Sequence, residues 1–76
     1  MKKIKKIKIK IKVKVNGKVK SILDNYKMSD LVKNLKIPIK KVAIELNQEI
    51  VDKKNINKIN LKNNDKIEIV HFIGGG

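Results

Sequence analysis

The sequence predicts a single α+β domain in which one mixed β-sheet packs against one helix. The prediction rests on an alternating N-terminal segment ending in an Asn-Gly turn, one central stretch with helical periodicity, and an apolar segment before the last glycines. A sheet and a helix each have one apolar face, so the two faces are buried against each other. A chain of 76 residues suffices for one small domain, residues 1–76, and leaves little room for a deep catalytic cleft.

The N-terminal segment is a predicted β-hairpin. Lysines alternate with apolar residues, which is the period of a half-buried strand, and the apolar set is Ile7, Ile9, Ile11, Val13 and Val15. Asn16-Gly17 follows, and this dipeptide suits a type I′ turn because both central residues need positive φ. The second strand is predicted over Lys18–Leu23. Residues 1–7 exceed an ordinary strand, so we expect them either to fray or to extend past the sheet edge.

The central stretch predicts a short amphipathic helix. Its apolar residues recur at i, i+3, i+4 and i+7, and they are Met28, Leu31, Val32 and Leu35. Ser29 is the predicted N-cap, with Asp30 in the first turn. Pro38 is predicted to end the helix, because proline disfavours helical geometry at the preceding residue, Ile37.

The remainder of the chain predicts three more strands. They cover residues 41–46, 49–51 and 66–73, with turns at 47–48 and 63–65 and a polar loop with one helical turn at 52–60. The order is therefore ββαβββ, and we expect the first and last strands to be neighbours in the centre of the sheet. This is the β-grasp, or ubiquitin-like, arrangement.

Composition excludes several classes of function. The absence of cysteine removes disulfides, thiolate metal sites and cysteine nucleophiles. The formal net charge is +13, yet every basic residue is lysine, and the aromatic residues are only Tyr26 and Phe72. Arginine and stacking aromatics are typical of nucleic-acid binders, so a codon bias towards lysine, isoleucine and asparagine explains the charge better than an anionic partner does. Neither a signal peptide nor a membrane span is visible, which predicts a cytoplasmic protein.

No catalytic or metal-binding set is visible in the sequence. Seven carboxylates fall mostly in turns or on predicted solvent faces among lysines, where solvated ion pairing is the expected role. The single histidine, His71, is interpreted as a strand residue, because a general base needs a positioned partner and a zinc site needs three or four ligands. The glycines form no phosphate-binding loop.

The last three residues, Gly74, Gly75 and Gly76, are the candidate functional segment, and we expect them to form a flexible C-terminal arm. Glycines allow a backbone to pass through a channel too narrow for any Cβ. A partner enzyme could bind the folded body, receive this thin arm and activate the carboxylate of Gly76 as an acyl-adenylate. A frayed terminus or an expression remnant explains the same composition equally well.

A family resemblance decides between these two explanations. "DKIEIVHFIGGG" at residues 65–76 resembles the C-terminus of the ThiS family of sulfur carriers, and "ELNQEIVDKK" at 45–54 resembles its central strand-turn-strand. "KVKVNGK" at 12–18 and "SDLVKNLKI" are similar to its opening hairpin and its helix. The lysine-rich residues 1–7 are a departure that most members lack. The resemblance implies a carrier in thiamine biosynthesis, and therefore a protein co-substrate rather than an enzyme.

The resemblance also implies a mechanism and its partners. An E1-like adenylating enzyme would use ATP and Mg²⁺ to adenylate Gly76, and the carrier itself would bind no cofactor. Sulfur from a cysteine persulfide, supplied by a cysteine desulfurase or another donor, would then displace AMP. The resulting thiocarboxylate would deliver sulfur to thiazole synthase. Gly75 matches the other half of the terminal pair, and Gly74 extends the arm.

The strand before the glycines contains a possible docking pair. If Ile67 and Ile69 face the core, alternation places Val70 and Phe72 on the opposite face, where they could anchor a partner. A bulge or a covering loop that buries Phe72 is the alternative.

Three other functions fit part of the sequence. The small subunit of molybdopterin synthase shares the fold and the Gly-Gly end, but that family usually has a proline-containing approach to its glycines, which "HFIGGG" lacks. A ubiquitin-like modifier would form an isopeptide bond instead. A lysine-rich nucleic-acid or membrane-surface binder would lose affinity steeply with added salt.

Overall fold

The computed structural model describes residues 9–72, and the predictions for residues 1–7, for residue 73 and for the glycines 74–76 lie outside this range. The strands are β1 (Lys10–Val15), β2 (Lys18–Leu23), β3 (Val42–Leu46), β4 (Glu49–Ile50) and β5 (Lys66–His71). One helix, α1, spans Met28–Asn34, and two 3₁₀ turns span Ile39–Lys41 and Lys53–Lys58. The predicted element order is confirmed. β2 has its predicted bounds, and β3 and β4 each differ from theirs by one residue. β1 begins at Lys10, whereas the predicted strand already included Ile9, and β5 covers Lys66–His71 of the predicted 66–73.

The five strands form one mixed sheet in the order β2-β1-β5-β3-β4. The hairpin β1–β2 is antiparallel, β1 and β5 run parallel, and β5 pairs antiparallel with β3. The β3–β4 pair forms a short antiparallel edge. The prediction that the first and last strands lie side by side in the centre is therefore confirmed.

The core lies between this sheet and α1, and every strand except β4 contributes to it. Its buried apolar residues are Val13, Ile22, Met28, Leu31, Val32, Val42, Ile44, Leu61, Ile67 and Ile69. Two residues predicted on apolar faces are exposed instead: Ile9, at 55%, and Leu35, at 37%. Ile9 precedes β1, and Leu35 follows the last helical residue, so neither lies within the element that was predicted to bury it.

The helix begins before the predicted N-cap. Lys27 occupies the N-cap position, and Ser29 is the second helical residue. The fully buried Met28 starts the helix, and its N–H donates to the carbonyl of Ile59 at 2.9 Å. Asp30 does lie in the first turn, where its Oδ2 accepts from the Lys27 N–H at 2.9 Å. Tertiary contacts at Met28 therefore override the local capping preference of serine.

The helix also ends earlier than predicted, and Pro38 does not end it. Lys36 adopts a left-handed conformation with φ 56° just after the C-cap. Its N–H donates to the Lys33 carbonyl, and the Ile37 N–H donates to the Val32 carbonyl, both at 3.1 Å. This pair of bonds is the Schellman motif, in which glycine is the usual left-handed residue. Lysine accepts a steric cost there because its Cβ approaches the following carbonyl oxygen.

Lys36→Gly should stabilise the protein by about 0.5–1 kcal/mol, because the relieved left-handed strain exceeds the added unfolded-state entropy. Urea denaturation should show a higher midpoint with an unchanged slope. Lys33→Gly, within α1, is the control and should destabilise by about 1 kcal/mol. A lower midpoint for Lys36→Gly would contradict the strain argument.

Candidate functional site

The candidate site is the C-terminal strand β5 and the residue that follows it. β5 is an interior strand, with β1 on one side and β3 on the other. Its pairing with β3 runs the full length of β3, from Leu46 opposite Ile67 to Val42 opposite His71. Because a shift of one residue would turn every side chain to the opposite face, this register determines what β5 shows to solvent.

The side chains of β5 alternate as the sequence predicted. Ile67 is fully buried and Ile69 is 7% exposed, whereas Val70 and Phe72 are 54% and 57% exposed. The alternative in which a bulge or a loop buries Phe72 is therefore wrong. Val70 and Phe72 are free to contact a partner at the place where the chain leaves the sheet. Their role in docking stays a prediction.

The parallel pairing of β1 with β5 is short, and the side chain of Asn16 extends it. The ladder covers only Lys14 opposite Lys66 and Val15 opposite Ile67. Beyond it, the Asn16 N–H donates to the Ile67 carbonyl at 2.9 Å. The Asn16 side chain then accepts from the Ile69 N–H at 2.7 Å and donates to the Ile69 carbonyl at 3.2 Å. One amide thus replaces two strand hydrogen bonds in the middle of β5.

Asn16 therefore has two roles, of which the sequence predicted one. Its φ of 49° and the φ of 83° at Gly17 are those of the predicted type I′ turn. The bonds to Ile69 join residues 53 positions apart, and no local pattern signals them.

A second network fixes the beginning of β5. Asp65 is buried, its Oδ1 accepts from Asn47 Nδ2 at 3.0 Å, and its Oδ2 accepts from the Lys62 N–H at 2.7 Å. The Asn47 Oδ1 in turn accepts from the Lys66 N–H at 2.9 Å. The expectation that the carboxylates are solvated is thus wrong for Asp65, which joins the β3–β4 turn to the start of β5.

The end of β5 is held by a third set of contacts. The Phe72 N–H donates to the Lys41 carbonyl at 2.9 Å, which continues the β3 ladder by one bond. The Nζ of Lys53 donates to the carbonyls of Ile39 and Val42 at 3.0 and 2.9 Å. The same Nζ lies 5.4 Å from the centre of the Phe72 ring, within the range of a cation–π interaction. No local sequence pattern indicates that the side chain of Lys53 reaches the end of β5.

Neither a metal-binding group nor a membrane-spanning helix is found among residues 9–72. His71 is exposed on β5, and residues 9–72 contain no group of three or more side chains suited to a metal ion. Within the same range, no helix is long and apolar enough to cross a membrane. The predicted reactive residue, Gly76, lies outside the described residues, as do Gly74 and Gly75.

The sequence model of the ThiS family matches residues 13–76 of this chain. The chain belongs to the ThiS family. It is 41% identical over 63 residues to the sulfur carrier protein ThiS of Bacillus subtilis, covering 82% of this chain and 96% of that protein. The crystal structure of a thiamine biosynthesis protein, ThiS, from Geobacter metallireducens superimposes with a TM-score of 0.76 at 28% identity, covering 87% of this chain and all of that one. This match confirms the β-grasp fold.

A segment of a longer protein is also similar to this chain. A thiazole synthase from Paramagnetospirillum magneticum is 37% identical over 62 residues, which are 82% of this chain and 19% of that protein.

As the resemblance implied, this ThiS-family chain is a sulfur carrier protein of thiamine biosynthesis, and it serves as a co-substrate rather than as an enzyme.

Asn16→Gly should destabilise the fold by about 1–2 kcal/mol, because the turn is retained while two hydrogen bonds to Ile69 are lost. Hydrogen exchange at the Ile69 amide should accelerate more than exchange at other core amides. Asn64→Gly, at another exposed turn position with positive φ, is the matched control and should change stability little. Equal exchange at Ile69 in the wild type and in Asn16→Gly would contradict the bridging role.

Proposed function

We propose that the α-carboxylate of Gly76 is the group that carries sulfur. The carboxylate attacks the α-phosphate of ATP on an E1-like adenylating enzyme, and pyrophosphate leaves. A cysteine persulfide then attacks the acyl carbon, AMP leaves, and a second thiol cleaves the S–S bond to give a thiocarboxylate. The carrier supplies the acyl group, and the enzyme supplies ATP and Mg²⁺.

The observation that carries this proposal is the short distance in sequence between a fixed strand and the glycines. Phe72 is tied to Lys41 by a backbone hydrogen bond, and Ile73 alone separates it from Gly74. The family match extends through residue 76, so it includes the glycines. An adenylating enzyme can bind the folded body and use this binding energy to position the acyl carbon of Gly76.

The absence of cysteine from the sequence agrees with this proposal. A carrier that holds sulfur on its own acyl end needs no thiol, and the sequence contains none. The persulfide is then supplied by a cysteine desulfurase or another donor, as the resemblance implies.

Thiazole synthase is the proposed acceptor of the sulfur. A protein of that name contains a segment similar to this chain, although the segment is only 19% of its length. A carrier-like segment joined covalently to the acceptor gives the sulfur group a high effective concentration at its site, and a separate carrier would achieve the same delivery by docking. The proposed reactions take place in the cytoplasm, in agreement with the sequence prediction.

Reconstitution tests the sulfur-carrier proposal directly. The purified chain is incubated with ATP, Mg²⁺, an adenylating enzyme and a persulfide donor, and its intact mass is measured. We expect one oxygen to be replaced by sulfur, and a chain lacking Gly75 and Gly76 to stay unchanged. A conjugate between Gly76 and a lysine of another protein would instead show a modifier. Sulfur transfer to a molybdopterin precursor but not to thiazole synthase would favour the molybdopterin pathway.

The exposed side chain of Phe72 provides a second test. Phe72→Ala should weaken binding to the adenylating enzyme about tenfold, because a partly exposed aromatic at the exit point is a typical interface anchor. Calorimetric titration of the two proteins measures the affinity. Val19→Ala is the control, since it shortens an exposed apolar side chain on β2, at the far edge of the sheet. Equal affinities of the wild type and Phe72→Ala would contradict a docking role.

A further inference from the structure

Among residues 9–72, Lys53 is the lysine whose side-chain contacts converge on the end of β5. It lies in the second 3₁₀ turn and is half-buried, whereas the neighbouring Lys54 is exposed. Its ammonium donates to the carbonyls of Ile39 and Val42. Those two carbonyls flank Lys41, whose own carbonyl accepts the N–H of Phe72. Lys53 therefore fixes the backbone segment to which Phe72 is bound.

The same ammonium also contacts the ring of Phe72. At 5.4 Å from Nζ to the ring centre, the positive charge of the ammonium attracts the electron-rich face of the ring. Two of the three N–H groups of Lys53 are used by carbonyls at 2.9–3.0 Å, so the ammonium cannot move away without losing them. Phe72 is thus held at its backbone by Lys41 and at its side chain by Lys53.

This double attachment matters because of the length of the arm. From Phe72, the four residues to Gly76 span at most about 13–14 Å when fully extended. If Phe72 detached from the sheet, the starting point of the arm would move with it, and the enzyme would have to order that segment on binding. Ordering mobile residues at an interface lowers affinity, whereas a preorganised segment avoids the loss.

We propose that Lys53 is a positioning residue for the activation of Gly76: its ammonium holds Phe72 and so fixes the point from which the arm leaves the fold. This inference rests on the proposed function, because it assigns Lys53 a role in that same adenylation. Lys53 does not touch the reacting atoms, and it acts through Phe72.

The primary test is the adenylation kinetics of Lys53→Met, a change that keeps much of the side-chain length and removes the donors and the charge. The KM for the carrier should rise about three- to tenfold. The kcat should change little, because at saturating carrier every enzyme molecule holds a carrier whose segment is already ordered by binding. Lys54→Met removes one positive charge at the adjacent, exposed position and should have the wild-type KM. Lys53→Arg keeps the charge, the donors and the ring contact, and should restore most of the affinity.

A double-mutant cycle tests whether Lys53 acts through Phe72. Phe72→Leu keeps an apolar side chain and removes the ring. The rise in KM caused by Lys53→Met should be much smaller in the Phe72→Leu background, so the two factors should not multiply. If they multiply, the ammonium of Lys53 does not hold Phe72 through its ring, and the proposed positioning role is overturned.

An enzyme-free measurement separates this inference from the proposed function. Hydrogen exchange at the Phe72 amide should accelerate in Lys53→Met and not in Lys54→Met, at a temperature where thermal melts show all variants folded. An adenylated wild type with unchanged KM and unchanged exchange in Lys53→Met would overturn the positioning role alone. A wild type that no adenylating enzyme activates would overturn the proposed function and this role with it.

Discussion

The hydrogen bonding of β5 on both of its sides is the constraint on which the rest of the structure depends. On one side, β3 pairs with it over the full length of β3. On the other side, the short ladder with β1 is continued by the backbone and the side chain of Asn16. With Ile67 and Ile69 buried, the register cannot slip without moving apolar side chains into water. The exposure of Val70 and Phe72 follows from this one register.

A carrier needs a body that partners can recognise and an end that they can reach, and this fold separates the two requirements. Asp65 and Asn47 fix the start of β5, Asn16 fixes its middle, and Lys41 and Lys53 fix its end. These attachments use mainly polar groups, and the carboxylate of Asp65 is buried among them. In the proposed mechanism the body needs no catalytic machinery, because a separate enzyme activates Gly76.

Periodic patterns predicted most of this fold because period and turn chemistry are local properties. Patterns over a few residues suffice to predict the alternation in β1, the Asn-Gly turn and the apolar face of α1. The exposure of Phe72 follows from the same kind of local alternation. The N-cap at Ser29 and the stop at Pro38 were wrong because a bond from Met28 to Ile59 and the left-handed Lys36 decide the helix ends. The contacts of Asn16 and Lys53 join residues distant in sequence, so only the folded structure reveals them.

The fixed position of β5 is tested most directly by backbone NMR relaxation along residues 66–76. A strand held on both sides and at its end predicts order parameters near the rigid-backbone value of about 0.85 from Lys66 through Phe72. The proposal of a flexible arm predicts values below about 0.6 at Gly74, Gly75 and Gly76. Values that already fall below about 0.6 at Val70 or Phe72 would contradict a fixed exit point, and with it the geometry on which the proposed acyl activation relies.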